Sequence, residues 1–241
     1  MRSLILLLLA MLGSVPAMGA EVVPSWWQVL TRSPGVLADV PQQPATTPAA
    51  PGGTGKLPTE GEWIGAFFLP ADDPMTISLD GEIEQGTALD FRRALERRPD
   101  TDIVYLASNG GFAKDALLIA HEIAVADIAT AVPTGRSCYS ACAYVFFAGS
   151  MRIAFGEVGV HQFSGAGLDA ANTQLALSIL LDALSEFKVS QPIISAMLRT
   201  SPDDIHILNE EELRSIDAEP GSFMDGFAGI LDAAAERTQA R

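Results

Sequence analysis

Hydrophobic positions follow two periods that alternate along the chain from Trp63 onward. Short apolar runs with the length of buried strands occupy residues 75–83, 102–108 and 129–133. Apolar residues at helical spacing occupy residues 88–98 and 113–126. Because strands that alternate with helices are joined by crossover connections, the pattern predicts an α/β fold with mainly parallel strands.

The second half of the chain begins with the stretch GRSCYSACAYVFFAG at residues 135–149, which predicts a turn followed by a buried helix. Short strands around RIAF and VGVHQF come next, and residues 171–199 are helical in pattern. Asn209 ahead of Glu212 is typical of a helix cap. The apolar side chains of the long helical stretch suit either an interface in a homo-oligomer or a cover for the core of its own chain.

The pattern divides the chain into four regions. Residues 1–20 join one Arg, an apolar run and small residues, as in a secretory signal peptide; the alternative is a retained anchor. Residues 21–62 are rich in Pro, Ala and Gly and predict a linker or N-terminal arm. Residues 63–220 form the expected domain, and residues 221–241 a C-terminal tail that could be helical. We therefore expect a periplasmic or secreted protein that contacts a membrane only if the signal segment is retained.

One apolar motif, WWQVL at residues 26–30, interrupts the polar arm. The expectation is that it is loosely packed. Docking onto a partner, a membrane surface or the domain itself are the alternatives.

Charge narrows the classes of partner. Thirty acidic and 15 basic residues give a formal net charge of −15. Phosphate backbones bind to basic faces, so a nucleic-acid partner is excluded. Neither a dinucleotide fingerprint nor a P-loop is present, and we expect no cofactor and no metal.

The two cysteines of the chain, Cys138 and Cys142, have to be considered as a disulfide pair in an exported protein. A helical i, i+4 pair lies near the upper limit of the Cα separation for a disulfide bond. An extended Cys138 is expected to lie too far from Cys142 to be bridged. The pairing stays open on sequence grounds.

Ser140 lies where a predicted turn opens a buried helix, so it is either a nucleophile or an N-cap. Unpaired backbone N–H groups at a helix start, such as that of Ala141, stabilise an oxyanion. His161 returns 21 residues later at the end of a strand and is a candidate general base. Asp203 and Asp204 are candidates for the acid that orients the imidazole, although each also suits a cap or a solvated position.

Three segments in order, IVYLASNGG, CYSACAYVFFAGSMRIAFGEVGVHQF and ILNEEEL, resemble the proteolytic subunit of the Clp protease and the wider Clp protease/crotonase superfamily. The resemblance covers about residues 73–220 and implies that superfamily's ββα spiral fold. The departures are Asn109 in place of a Pro before the paired glycines, a shorter interval between serine and histidine, and the two cysteines. This combination of features resembles an exported bacterial branch of the superfamily.

The resemblance implies an acyl-enzyme mechanism with Ser140 as nucleophile and His161 as base. The N–H groups of Gly111 and Ala141 would form the oxyanion hole, and Asp204, or alternatively Asp203, would be the acid. It also implies a peptide or protein substrate and self-association. An exported enzyme meets no ATP, so no ATPase partner is expected.

Two further interpretations stay open. A Ser/Lys peptidase would use a lysine as base, with Lys114 on the first turn of a predicted helix as the candidate. A non-catalytic periplasmic domain would hold a peptide or act as a scaffold. A disulfide bond that closes the Ser140 site, with Asp203 and Asp204 both in solvent, would favour this second interpretation.

Overall fold

The computed structural model describes residues 24–32, 60–164 and 169–220, which contain ten strands and seven helices. The strands are β1 (Gly61–Ile64), β2 (Phe67–Pro70), β3 (Thr76–Asp80), β4 (Ile103–Ala107), β5 (Ala129–Val132), β6 (Ser137–Tyr139), β7 (Arg152–Ala154), β8 (Glu157–Val160), β9 (His206–Ile207) and β10 (Ala218–Pro220). The helices are α1 (Ser25–Arg32), α2 (Thr87–Arg97), α3 (Ala113–Val125), α4 (Ala141–Phe147), α5 (Ala170–Glu186), α6 (Gln191–Arg199) and α7 (Glu210–Arg214). The predicted signal segment, most of the linker and the C-terminal tail lie outside the described residues.

A seven-stranded sheet forms the frame, in the order β1, β2, β3, β4, β5, β7, β10. From β3 to β10 every neighbouring pair is parallel, whereas β1 and β2 form an antiparallel hairpin at one edge. Each parallel pair requires a crossover connection. The connections contain α2 from β3 to β4, α3 from β4 to β5, α4 from β5 to β7, and α5 to α7 from β7 to β10. The prediction of an α/β fold with mainly parallel strands is therefore confirmed.

A second sheet of three strands, in the order β6, β8, β9, carries the segments of chemical interest. β6 and β8 are parallel, with Ser137 opposite Glu157 and Tyr139 opposite Gly159. β9 pairs antiparallel with β8 through Val160 and His206. The chain therefore leaves β6 and β8 at the same end of this sheet.

Helix α4 occupies the centre of the core. All seven of its residues, in the order ACAYVFF, are buried. A helix that is apolar on every side is stable only when it is covered on every side. Helix α3 packs along it, with seven buried residues of its own, and β5 is held against it where the Thr130 hydroxyl donates to the Phe146 carbonyl at 2.8 Å.

The N-terminal helix α1 packs onto the domain, so the expectation of a loosely packed arm is wrong. Trp26 is 1% exposed, and its ring meets His121 and Phe187 edge-on at centroid distances of 5.8 and 6.1 Å. The Trp27 ring stacks on His121 at 3.8 Å, and the Trp26 indole N–H donates to the Glu186 carboxylate. The two tryptophans thus bury surface against α3 and the end of α5. The spacing of apolar residues in the arm alone did not predict this contact.

The predicted helical stretch 171–199 divides into α5 and α6. The chain turns at Lys188, whose φ is 57°, and α6 begins with Pro192 in its first turn. Five residues of α5 face the core: Ala176, Ile179, Leu180, Ala183 and Leu184. This face covers its own chain, which leaves self-association a prediction. No helix among the described residues is both long and apolar enough to cross a membrane.

Replacement of the docked tryptophan is expected to be costly. Trp26→Ala removes a buried indole and leaves a cavity, so we expect the free energy of unfolding to fall by about 3 kcal/mol. Trp63→Ala is the matched control, because the Trp63 side chain in β1 is 53% exposed; its effect is expected to stay within about 0.5 kcal/mol. Urea unfolding of both variants measures the difference, and equal losses would contradict the docking of α1.

Candidate functional site

Ser140 occupies a sharp turn between β6 and α4. Its φ is 56° and its ψ is −124°, a combination that serine rarely adopts. A strained strand-to-helix turn of this kind presents the nucleophilic serine in α/β-hydrolases. Strain of this kind persists only where the surrounding structure enforces it, and it gathers at functional sites.

Hydrogen bonds fix the strand that enters this turn. The Tyr139 N–H donates to the Ser108 carbonyl at 3.0 Å, and the Ser140 N–H donates to the Gly159 carbonyl at 2.9 Å. The Tyr139 hydroxyl donates to the Glu157 carboxylate on the paired strand. Burial and this carboxylate together raise the pKa of Tyr139. The chain just before Ser140 is therefore held on both edges, by β4 and by β8.

Gly110 lies directly against the turn. A Cβ at this position would come within 2.7 Å of the Tyr139 carbonyl oxygen, 2.8 Å of the Ser140 Cβ and 2.9 Å of the Ala141 nitrogen. Its φ of 99° also suits glycine. The Gly110 N–H donates to the Ser108 hydroxyl at 3.0 Å, which closes the loop after β4. Sequence analysis identified the paired glycines but missed this contact of Gly110, because a spacing does not show which glycine touches the serine.

Gly111, the predicted oxyanion-hole donor, forms a parallel bridge with Ile83. Ile83 donates to the Gly110 carbonyl at 2.8 Å and accepts from the Phe112 N–H at 2.7 Å, so the N–H of Gly111 itself points away from Ile83. Among the hydrogen bonds of the described residues, neither this N–H nor that of Ala141 has an acceptor. Two unpaired donors thus lie in the segments that meet at Ser140.

His161 follows β8 and is 1% exposed. Within the described residues, neither of its ring nitrogens has a hydrogen-bond partner. Burial lowers the pKa of the imidazole below its ordinary value, and the backbone of Gln162 acts in the opposite direction. The ring is therefore neutral near pH 7, which is the form that accepts a proton.

The strand register places Ser140 and His161 just past the same ends of two paired strands. Ser140 follows Tyr139, which lies opposite Gly159, and its N–H donates to the Gly159 carbonyl; His161 comes two residues after Gly159. No hydrogen bond joins the two side chains in this structure, since the ring nitrogens of His161 are unpaired. Ser140 is itself only 3% exposed, so both side chains lie beneath the surface.

The two candidate acids lie apart from the histidine. Asp203 and Asp204 are exposed, and the Asp204 carboxylate accepts the N–H of Ile205 at 2.8 Å. Neither reaches a ring nitrogen of His161. In this structure neither Asp204 nor Asp203 orients the imidazole. Both residues belong to a turn that is closed by a hydrogen bond from the Asp204 N–H to the Ser201 carbonyl at 3.0 Å.

The remaining histidines and the alternative base have other surroundings. His206 pairs with the Glu212 carboxylate at 2.9 Å, next to the capping box that Asn209 and Glu212 form at α7. His121 stacks with Trp27. Lys114 lies half-buried on the first turn of α3. Among the described residues, no group of His, Cys, Asp and Glu side chains suits a metal ion.

A disulfide bond joins Cys138 and Cys142 across the turn, with a Cα separation of 5.1 Å. Both cysteines are fully buried. The expectation that an extended Cys138 lies out of reach is wrong, because Ser140 reverses the chain between them. This reversal could not be read from the sequence, since only the positive φ of Ser140 brings a strand residue so close to the first turn of a helix.

Comparison with solved structures finds the same fold. ClpP1 from Listeria monocytogenes superposes with a TM-score of 0.51 at 18% identity, over 64% of this chain and 95% of that chain. A mutant of the same ClpP1 gives 0.46 at 17% identity, over 62% and 93% of the two chains. A mutant of a membrane-bound stomatin-specific protease gives 0.45 at 18% identity, over 60% and 77%. No protein-family model matches the sequence, and a comparison with curated proteins finds no match. The chain therefore has a Clp protease-like fold.

The contact between Gly110 and the turn can be isolated with a matched glycine. Gly110→Ala introduces both an unfavourable φ and a clash, whereas Gly86→Ala introduces a similar φ of 97° where nothing lies within 4 Å. We expect Gly86→Ala to lower the free energy of unfolding by about 1 kcal/mol and Gly110→Ala by roughly 2 kcal/mol more. Denaturant unfolding compares them, and equal effects would mean that the loop and the turn do not touch.

Titration of the buried imidazole should appear in the stability of the protein. Between the ordinary histidine pKa of about 6.5 and the lowered pKa of folded His161, the unfolded chain binds a proton that the folded chain does not. The free energy of unfolding is therefore expected to fall as the pH drops from 7.5 to 5.0, and His161→Leu should remove part of that fall. Thermal unfolding at both pH values provides the measurement, and an identical pH dependence in the two proteins would rule out a buried neutral His161.

Proposed function

We propose that this protein is a serine hydrolase in which Ser140 is the nucleophile and His161 the general base. The observation that carries the proposal is the strained turn at Ser140, held against Gly110, at the end of a sheet whose next strand leads into a buried, unpaired imidazole. A purely structural histidine would be expected to have a partner, because burying an unsatisfied polar group costs about 1–3 kcal/mol.

The mechanism is acyl transfer through a covalent intermediate. Ser140 Oγ attacks the substrate carbonyl carbon as His161 takes the hydroxyl proton. The N–H groups of Gly111 and Ala141 donate to the oxyanion, and collapse of the intermediate expels the amine or alcohol, which receives the proton from His161. Water, deprotonated by His161, then attacks the acyl carbon, and His161 returns the proton to the Ser140 oxygen as the bond to the acyl carbon breaks and the acid is released. The serine and the imidazole must come within hydrogen-bond distance when substrate binds, as catalytic contacts often tighten at that stage.

No carboxylate orients the imidazole in this proposal. Asp203 and Asp204 face solvent, so His161 is oriented by its enclosure in the core. Loss of either carboxylate is expected to leave the reaction intact. In a conventional triad, by contrast, loss of the acid lowers kcat about 10⁴-fold.

The proposed substrate is a peptide in extended conformation. It can add as a strand beside the glycine loop, where the Gly111 N–H has no acceptor among the described residues. The signal-like residues 1–20 support export to the periplasm or beyond, and hydrolysis there would need no ATP. Assembly into a homo-oligomer is part of the same proposal, as is contact with a membrane through a retained signal segment.

A non-catalytic peptide-binding or scaffold domain is the second candidate. It is favoured by the disulfide bond across the Ser140 turn and by the exposure of both Asp203 and Asp204. Such a domain would keep the fold and hold a peptide without turnover. The absence of any reaction at Ser140 is what distinguishes it.

Covalent labelling with a fluorophosphonate probe separates these functions. The oxidised wild-type protein is expected to react at one residue, identified by mass spectrometry as Ser140. Ser140→Ala should abolish labelling, and His161→Ala should slow it by at least about 100-fold, the usual contribution of a general base. Asp203→Asn and Asp204→Asn should label at the wild-type rate. Ser178→Ala, at an exposed serine of α5, is the control.

Each result assigns the protein to one class. Unchanged labelling of His161→Ala together with loss in Lys114→Ala would identify a Ser/Lys enzyme. No labelling of the wild-type protein, with binding of extended peptides intact, would identify the non-catalytic domain.

A further inference from the structure

We infer that the Cys138–Cys142 disulfide bond positions Ser140 for reaction, by holding the residue between its two ends in a backbone conformation that the chain would otherwise leave. The inference rests on the proposed function, because it gives the bridge a role in that same site. It makes the two cysteines positioning residues and leaves the chemistry to Ser140 and His161.

One end of the bridge is anchored in the sheet. Cys138 lies in the middle of β6, opposite Val158, and forms a bridge to Ser108 after β4. The flanking bonds are Ser108 N–H to the Ser137 carbonyl at 2.9 Å and Tyr139 N–H to the Ser108 carbonyl at 3.0 Å. Because strands flank it on both edges, Cys138 has little freedom to move.

The other end is anchored in the core helix. Cys142 is the second residue of α4 and is fully buried with the rest of that helix. An extended segment of four steps would separate the two Cα atoms by about 13 Å, but they lie 5.1 Å apart. The bridge therefore allows only a sharply reversed path between its ends, and Ser140 is the residue at which the path reverses.

Hydrogen bonds hold the backbone on both sides of the turn. The Ser140 N–H donates to the Gly159 carbonyl at 2.9 Å, and the peptide that follows Ser140 accepts at its carbonyl from the Ala143 N–H at 3.0 Å. Its own N–H, on Ala141, has no acceptor within the described residues. A rotation that returned Ser140 to negative φ would relieve the strain and turn the Ala141 N–H away from a substrate carbonyl. The covalent bridge opposes that rotation.

General stabilisation explains the position of the bridge less well. In the chain-entropy account, a disulfide bond stabilises more as the loop it closes lengthens. This bridge closes a loop with a sequence separation of only 4, between residues that the strand and the core helix already hold. So short a loop restricts the unfolded chain less than a long loop would, and the bridge also constrains the geometry of the three residues inside it.

The first test compares reaction rates of folded proteins with and without the bridge. Cys138→Ala/Cys142→Ala is expected to lower the rate of fluorophosphonate labelling at Ser140 at least about 100-fold, although circular dichroism and tryptophan fluorescence stay native. Wild-type protein purified with both thiols reduced keeps the same side-chain volume and should show the same loss, which guards against a folding defect in the double variant. Labelling of either folded protein at the oxidised wild-type rate would overturn the inference.

A second test reads the backbone without using activity. Ser140→Gly removes the strain at positive φ, so in the bridged protein it should raise the Tm by about 2–4 °C. In the Cys138→Ala/Cys142→Ala background, where Ser140 is free to relax, the same substitution should raise the Tm by less than half as much. Equal shifts in the two backgrounds would show that the bridge does not hold the turn.

The two tests separate this inference from the proposed function. If the oxidised wild-type protein does not label, the proposed function fails and with it the role in reaction, while the Tm cycle still decides whether the bridge holds the Ser140 backbone. If it labels and the Tm shifts are equal, the hydrolase stands and the positioning role is overturned.

Discussion

The domain depends on the complete burial of helix α4. A helix with no exposed residue must be entered from a strand that is itself inside the fold, and here β6 leads into it between β4 and β8. The N–H groups at the start of such a helix cannot be satisfied by water, so they need a partner from the protein or from a ligand. The Ala143 N–H donates to the Ser140 carbonyl, whereas that of Ala141 has no acceptor among the described residues. The turn that begins the helix therefore keeps an unpaired backbone donor inside the core.

The buried imidazole fits this arrangement and differs from its surroundings. Two other buried polar side chains are paired: the Asp115 carboxylate accepts the N–H groups of Gly86 and Ala88, and the Thr130 hydroxyl donates to α4. The ring of His161 is not, and burial keeps it neutral. An unpaired imidazole and a strained serine at one end of a small sheet both lower the free energy of unfolding, and neither contributes a contact that stabilises the fold. That cost is the reason for regarding the arrangement as functional.

Periodicity identified the elements whose patterning is local. The strands at 75–83, 102–108 and 129–133 and the helices at 88–98 and 113–126 appear with boundaries shifted by only a few residues. The position of α1 on the domain could not be predicted in this way, because Trp26 packs on Phe187, a residue far along the chain. The site was predictable in its residue types but not in its geometry. Ser140 lies at a strand-to-helix turn and His161 at the end of a strand, as the sequence predicts. The distance between Cys138 and Cys142 could not be predicted, because it depends on one backbone angle at Ser140. The positions of Asp203 and Asp204 could not be predicted either, because they depend on the hydrogen bonds within their own loop.

The disulfide bond also constrains the order in which the chain can mature. Both sulfurs are sealed beneath the surface, so an oxidising catalyst has no access to them once α4 has docked. The bond must therefore form while this helix is still undocked, in a partly folded chain. A chain that completed its core first would keep two buried thiols, and local opening of the core would be required before they could be oxidised. Oxidation thus has to precede completion of the core for the turn to be bridged from the start.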